Sequence, residues 1–296
     1  KFLFFKKRSR ENNKSLLLLI LMKIKFKVSV VVCAKNEEKR IVSCLKSIRK
    51  NKVDEIILVD GNSSDNTVKL AKKFIDKVII SKKKSLSADR QIGINAAKNQ
   101  FIAMIDADHI LRKNDIKSLF NDLHEFDFDI VQSQLKSKYN KNFLNSAEQE
   151  SWDITHNIPG VRLMIGTAPC IYKKKVFKFI KFDSKITKTM DDTDFIYRLS
   201  KLKKFKIGIG NTKIIQFHHA NISDYFKKFL WYGHGDAEFV IKYPHKIFSI
   251  LFHQLIRYTL LYPIKGILKL KFKSVIFFVC MGLTRFLGLA TYVIKK

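Results

Sequence analysis

The chain has 296 residues, of which 46% are apolar, so it can bury a sizeable core, and a disordered chain is excluded. Its formal charge of +31 points to a nucleic acid, an anionic membrane or an acidic substrate, unless it reflects a general bias of composition. Cys33, Cys44, Cys170 and Cys280 form no CxxC or Cys/His pair, which speaks against a zinc site or a disulfide framework and for a reducing compartment.

In chain order, residues 1–25 read as an N-terminal extension. The apolar run Leu16–Met22 is too short to span a bilayer, and Met22 looks like a natural start that leads into the first strand. Strands are expected at Val28–Cys33, Glu55–Asp60, Lys77–Ile80 and Phe101–Asp106. Helices between them at Glu37–Arg49, Ser64–Phe74 and Ser87–Ala97 carry apolar residues at helical spacing. This alternation predicts a mostly parallel sheet with helices on both faces, whose ligands bind beyond the carboxyl ends of the strands. Further strands are expected at Phe128–Ser133, Leu163–Tyr172, Phe205–Ile209 and Lys213–Phe217, with helices at Asn145–Thr155, Asp192–Leu202 and Asp224–Lys242. Residues 246–296 then change character, with apolar stretches punctuated by Lys and Arg. From Lys227 to Lys296 there are twelve basic residues against two acids.

Three acidic groupings fall where that topology places a ligand. Asp106-Ala107-Asp108 ends a strand, and two carboxylates so close favour a hard divalent cation between them. Val59 to Thr67 reads as strand, turn and helix start. Gly61 and Asn62 tolerate positive φ, Ser63, Ser64 or Asp65 can cap, and Asp60 at the crevice edge can accept hydrogen bonds from a base or ribose. Asp191, Asp192 and Asp194 open a helix. The helix dipole accounts for one or two of them, at about 0.3 to 1 kcal/mol each, and less easily for three. A carboxylate crowded by others has its pKa raised, which suits a general base.

Val28 to Val32 with Asn36-Glu37-Glu38, then Val59 to Thr67, then Asp89-Arg90 with Asp106-Ala107-Asp108, then Asp191-Asp192, resemble the family 2 glycosyltransferases over roughly residues 26–245. The resemblance implies an α/β chain of the GT-A type, with a catalytic domain at 26–245; the basic, apolar residues beyond it read as C-terminal membrane-associated helices at 246–296. The resemblance also implies an inverting transferase using a UDP- or GDP-linked sugar with Mg²⁺ or Mn²⁺, acting on a lipid-linked or glycan acceptor. By the same resemblance, Asp106 and Asp108 hold the metal and diphosphate, and Ala34, Asn36, Glu37, Asp60, Arg90 and Ala107 contact the nucleotide sugar. Gly166 lines the sugar pocket, and Asp192 is the catalytic base. Asp191 stands where the family more often has Glu, so the base lies within this pair. His218 and His219 follow a strand, and His219 is either a further metal ligand or a strand-edge residue.

Two other classes compete. A nucleic-acid-binding protein would need a docking module, and none is recognisable. A nucleotidyltransferase would carry a Gly-rich basic loop where this chain has Cys33-Ala34-Lys35-Asn36-Glu37. The basic, apolar C-terminal region predicts docking to an anionic membrane surface on its cytoplasmic face. Val275–Ile294 is long enough to span, but Arg285 at its middle would cost about 2.5 to 3.5 kcal/mol in lipid, which favours an interfacial or re-entrant pair. Packing on the catalytic domain or a dimer interface would satisfy the same apolar residues.

Overall fold

A computed structural model describes residues 26–83, 85–138, 142–217 and 221–295. The expected N-terminal extension therefore lies outside the described residues, as do His218 and His219.

The first half follows from four apolar runs. β1 (Val28–Ala34) and β2 (Glu55–Asp60) are buried along their whole length, as parallel strands covered on both faces must be. β1 pairs in parallel with β2 and with β4 (Phe101–Asp106), while β3 (Lys77–Ile80) is a half-exposed edge beside β2. Alternate side chains feed two cores. Val28, Val30 and Val32 pack with Ile41, Leu45 and Ile48 of α1 (Ile41–Arg49), and Val31, Ile57 and Val59 pack with Ile94 of α3 (Leu86–Ala96). A short α2 (Thr67–Ala71) follows β2. Gly93 lets α3 approach the sheet closely, since a Cβ there would lie 2.3 Å from Val31 Cγ1.

The second half of the sheet is mixed. Among the described residues the order is β3-β2-β1-β4-β8-β6-β9-β5. Here β5 is His109–Ile110, β6 Ile130–Ser137, β8 Cys170–Lys173 and β9 Ile207–Gln216, and a two-residue β7 (Gly160–Val161) pairs with β9. β8 runs antiparallel to both β4 and β6, and β9 runs parallel to β6. The strand expected at Leu163–Tyr172 is confined to its last residues. Pro169 has no N–H to give a ladder, and Leu163 is 89% exposed. The two strands expected at Phe205–Ile209 and Lys213–Phe217 are one long β9, accommodated by an irregularity in β6 between Gln132 and Gln134. α4 (Asp115–Glu125) is an element the sequence analysis did not anticipate, although Ile116, Leu119, Phe120 and Leu123 give it an apolar face at helical spacing.

Helices α5 (Phe143–Thr155), α6 (Asp191–Lys201) and α7 (Ile222–Lys242) follow in the second half. Two apolar helices follow, α8 (Pro244–Leu268) and α9 (Phe272–Ile294). The middle of α8, His253–Leu261, is π-helical just ahead of Pro263, whose missing N–H cannot continue the α-helical ladder. α9 crosses α7 at glycines, and a Cβ on Gly288 would meet the Leu230 carbonyl at 2.4 Å. Arg285 does not face lipid alone. It forms a bidentate pair with Asp236 of α7, at 2.6 and 2.9 Å, and Asp236 also accepts from Gln254 of α8 at 2.8 Å. The opposite faces stay bare, with Phe248 80% and Leu268 77% exposed.

Candidate functional site

The expected nucleotide loops meet at the carboxyl ends of β1 and β2. Asp60 is buried, and its carboxylate accepts from the Ser63 N–H at 2.8 Å and the Ser63 hydroxyl at 2.5 Å. Asn36 adopts the left-handed conformation, φ 55, which asparagine tolerates. Its N–H donates to Ser63 Oγ at 2.9 Å, and its side-chain oxygen accepts from the Ser64 N–H at 2.9 Å. The Ala34 carbonyl accepts from Gly61 at 2.8 Å, and Glu37 ties the rim further through its N–H to Thr67 Oγ1 at 2.7 Å. The Glu37 carboxylate is occupied by Arg40 at 2.8 Å. These bonds make one rigid rim of two loops, and Asp60 keeps lone pairs for a donor on a base or sugar. Asp65, by contrast, accepts from the Thr67 N–H at 3.0 Å, and so serves the start of α2.

β4 delivers the acidic pair. Asp106, Asp108 and His109 place potential ligand atoms within 4.8 Å of one another. His109 is fully buried and was not singled out from the sequence. Its Nδ1 accepts from the Asp106 N–H at 3.0 Å, so it braces the turn that aims both carboxylates. Asp108 Oδ2 accepts from Gln216 at the end of β9 at 3.0 Å. Among the described residues its Oδ1 is buried without a donor, as an oxygen reserved for a cation would be, and the donor set therefore fits a hard divalent ion. Ala107 is buried between the two acids.

Arg90, from α3, joins this pair to the start of α6. Its guanidinium bonds Asp191 through Nη1 and Asp106 through Nη2, the latter at 3.2 Å. It thus brings two acids of like charge side by side. Asp89, its neighbour, lies against Gly61 and has one oxygen without a donor among the described residues; burial pushes its carboxyl above the usual carboxylate range.

The three acids of α6 separate by environment. Asp194 is consumed by structure, accepting from Arg198 at 2.7 Å, Lys242 at 2.5 Å and Tyr243 at 2.9 Å. Asp191 is held by Arg90. Asp192 accepts only the Thr193 N–H, at 2.6 Å, and the Thr193 hydroxyl, at 3.3 Å, and no cation pairs with it among the described residues. Burial, and then the charge of Asp191, push its carboxyl up to about 6. Such a group is ionised at neutral pH yet basic enough to take a proton.

Gly166 lies in the loop before β8, its N–H donating to Gln132 at 2.8 Å. Gln132 on β6 and Lys228 on α7 stand in no motif that could have singled them out. Lys228 bonds Glu148 of α5 at 3.2 Å, and Glu148 also accepts from Tyr225 at 2.5 Å. On helices such residues look like any solvated charge.

A family model described as Glycosyl transferase family 2 matches residues 29–204, more than half of the chain. Glycosyltransferase GlyG of Streptococcus pneumoniae is 34% identical over 112 residues, covering 35% of this chain and 37% of that protein. Cholesterol galactosyltransferase of Borreliella burgdorferi is 30% identical over 117 residues, covering 37% of this chain and 33% of that protein. The matched segments thus span about a third of each relative. Among solved structures, the mannosyltransferase PcManGT of Pyrobaculum calidifontis, in complex with GDP-Man and Mn²⁺, shares the fold at a TM-score of 0.56 and 12% identity, covering 92% of this chain and 74% of that one.

Proposed function

The chain belongs to glycosyl transferase family 2, and from that membership we propose that it moves a sugar, with inversion, from a UDP- or GDP-linked donor to the hydroxyl of a lipid-linked or glycan acceptor at a membrane. Family membership makes the chain a glycosyltransferase and not a nucleotidyltransferase. The observation that carries the proposal is the separation of the acids: Asp106 and Asp108 form a cation-ready pair, while Asp192, next to the Asp191 that shares Arg90 with Asp106, has no cation partner among the described residues and a raised carboxyl.

Asp60 and the Asn36–Ser64 rim receive the nucleoside, and Arg90 fixes Asp106 against Asp191. Mg²⁺ or Mn²⁺ held by Asp106 and Asp108 would supply neutralising charge for the departing diphosphate. Asp192 takes the proton of the acceptor hydroxyl as its oxygen attacks the anomeric carbon. The bond from that carbon to the phosphate oxygen breaks, and its electron pair leaves with the nucleoside diphosphate. One in-line displacement inverts the configuration. His219, outside the described residues, stays a candidate further metal ligand.

The bare faces of α8 and α9 support docking to an anionic bilayer. Their apolar residues alternate with Arg257, Lys265, Lys269, Lys271 and Lys273, each worth on the order of 1 kcal/mol near anionic lipid. The Borreliella burgdorferi relative is named a cholesterol galactosyltransferase, a name that agrees with a lipid acceptor. The test is transfer of radiolabelled hexose from UDP- and GDP-linked donors, with Mn²⁺ and a bacterial lipid extract. Label should move to the organic phase; label that stays in soluble glycan while nucleotide is released would refute the lipid acceptor.

A further inference from the structure

The segment that carries the catalytic base is anchored outside the sheet, on the C-terminal helices. Glu238 of α7 accepts from the Thr187 N–H at 3.0 Å, the Thr187 hydroxyl at 2.5 Å and the Lys188 N–H at 3.0 Å. Tyr292 of α9 donates to the same carboxylate at 3.3 Å. Thr189 then packs against Gly235, where a Cβ would come within 1.8 Å of its hydroxyl oxygen. Met190 follows with φ 67, a left-handed conformation that a residue of this kind holds only when its surroundings dictate it. Its sulfur lies 3.9 Å from Arg285 Nη2, the guanidinium locked on Asp236. Asp191 and Asp192 are the next two residues.

We propose that Glu238, backed by Tyr292 and by the Arg285–Asp236 pair, is a positioning residue that sets the geometry of the Asp191–Asp192 turn, making α7 and α9 part of the catalytic unit. α9 then has two duties: its bare face meets the bilayer, and Tyr292 and Arg285 on its other side back the segment that holds the base. Glu238 touches no reacting atom. It acts through the backbone of residues 187 and 188. Since a carboxamide can present its oxygen to the two N–H groups and its NH₂ to the two hydroxyls, Glu238→Gln keeps the clamp, and Glu238→Ala removes it.

This inference rests on Asp192 as the base, so Asp192→Asn is measured alongside. In the full-length chain, Glu238→Ala is expected to lower kcat roughly 100-fold, the cost of a misplacement of about 1 Å. UDP or GDP affinity in Mn²⁺, read by titration, should stay within about threefold, because the nucleotide rim is untouched; Glu238→Gln should recover most of kcat. Should Glu238→Ala fail to fold, Thr187→Val deletes one hydrogen bond and should lower kcat roughly fivefold with nucleotide affinity intact. Full kcat in Glu238→Ala, or in Thr187→Val where Glu238→Ala is unfolded, overturns the positioning role, as does a nucleotide affinity that falls in step with kcat. An inactive Asp192→Asn beside an intact Glu238→Ala sinks this inference alone, and an active Asp192→Asn sinks the base assignment with it.

Discussion

Replacing Asp192 by asparagine separates catalysis from stability. The Asp192 carboxyl stands at about 6 against an ordinary 3.8, because burial and the neighbouring Asp191 oppose its charge. That difference is worth up to about 3 kcal/mol, less whatever solvent restores to a side chain only partly covered. The folded pKa lies above the unfolded one, so between the two the folded chain binds more proton, and stability falls as pH rises from about 4 through about 6. Asparagine is the neutral isostere and keeps the acceptor for the Thr193 N–H. At pH 8 the variant should therefore be as stable as the parent or melt a few degrees higher, and at pH 4 the difference should vanish. Its kcat should fall by roughly 10²- to 10⁴-fold with donor affinity nearly unchanged, and the parent's kcat should decline about tenfold per pH unit below pH 6. Nucleoside diphosphate release followed from pH 5 to 8, with thermal melts at pH 4 and 8, measures both. A flat profile between pH 5 and 7.5, or an asparagine variant turning over within threefold of the parent, refutes the assignment.

Arg285→Leu leaves Asp236 buried without its partner and should destabilise the chain by about 3 to 5 kcal/mol; a melting temperature within a degree of the parent would mean that the pair does not hold the helices together. Gly93→Ala drives a methyl group into Val31 and should cost about 1 to 3 kcal/mol in denaturant unfolding, whereas an unchanged midpoint would refute the close approach of α3. The full-length protein should float with vesicles of anionic lipid at low salt and detach at high salt. Phe248→Asp with Leu268→Asp should abolish flotation without changing the melt, and equal binding by that variant would remove α8 as the docking face.

β1, β2 and β4 were legible because they are buried on both faces, so Val28 to Val32 and Ile56 to Val59 carry unbroken apolar runs, whereas the exposed edge strand β3 showed through its β-branched residues alone. Past residue 125 burial and hydrophobicity part company. Leu163 and Met164 belong to an apolar run but lie exposed ahead of Gly166, and the two-residue β5 and β7 have no period to detect. Gly208, Gly210 and Asn211 interrupt β9 in sequence but not in space. The acidic pair could be found because it ends a strand of a recognisable sheet. What surrounds it could not. Arg90 reaches Asp191 across 101 residues, Gln216 reaches Asp108 across 108, and Asp236 meets Arg285 across 49. Arg285 read as a charge out of place in an apolar helix because its partner lies on another element. The three acids of α6 likewise look equivalent in sequence, and only packing assigns Asp194 to Lys242 and Tyr243 and leaves Asp192 with no cation partner among the described residues.

The most direct measurement of the central claim is release of UDP or GDP from a panel of nucleotide-linked hexoses, with Mg²⁺ or Mn²⁺, by the parent and by Asp108→Ala. Release is expected from at least one donor, and is expected to be lost in EDTA and in a folded Asp108→Ala, since Asp108 Oδ1 is buried without a donor among the described residues. Release that persists undiminished in EDTA and in Asp108→Ala would contradict the claim.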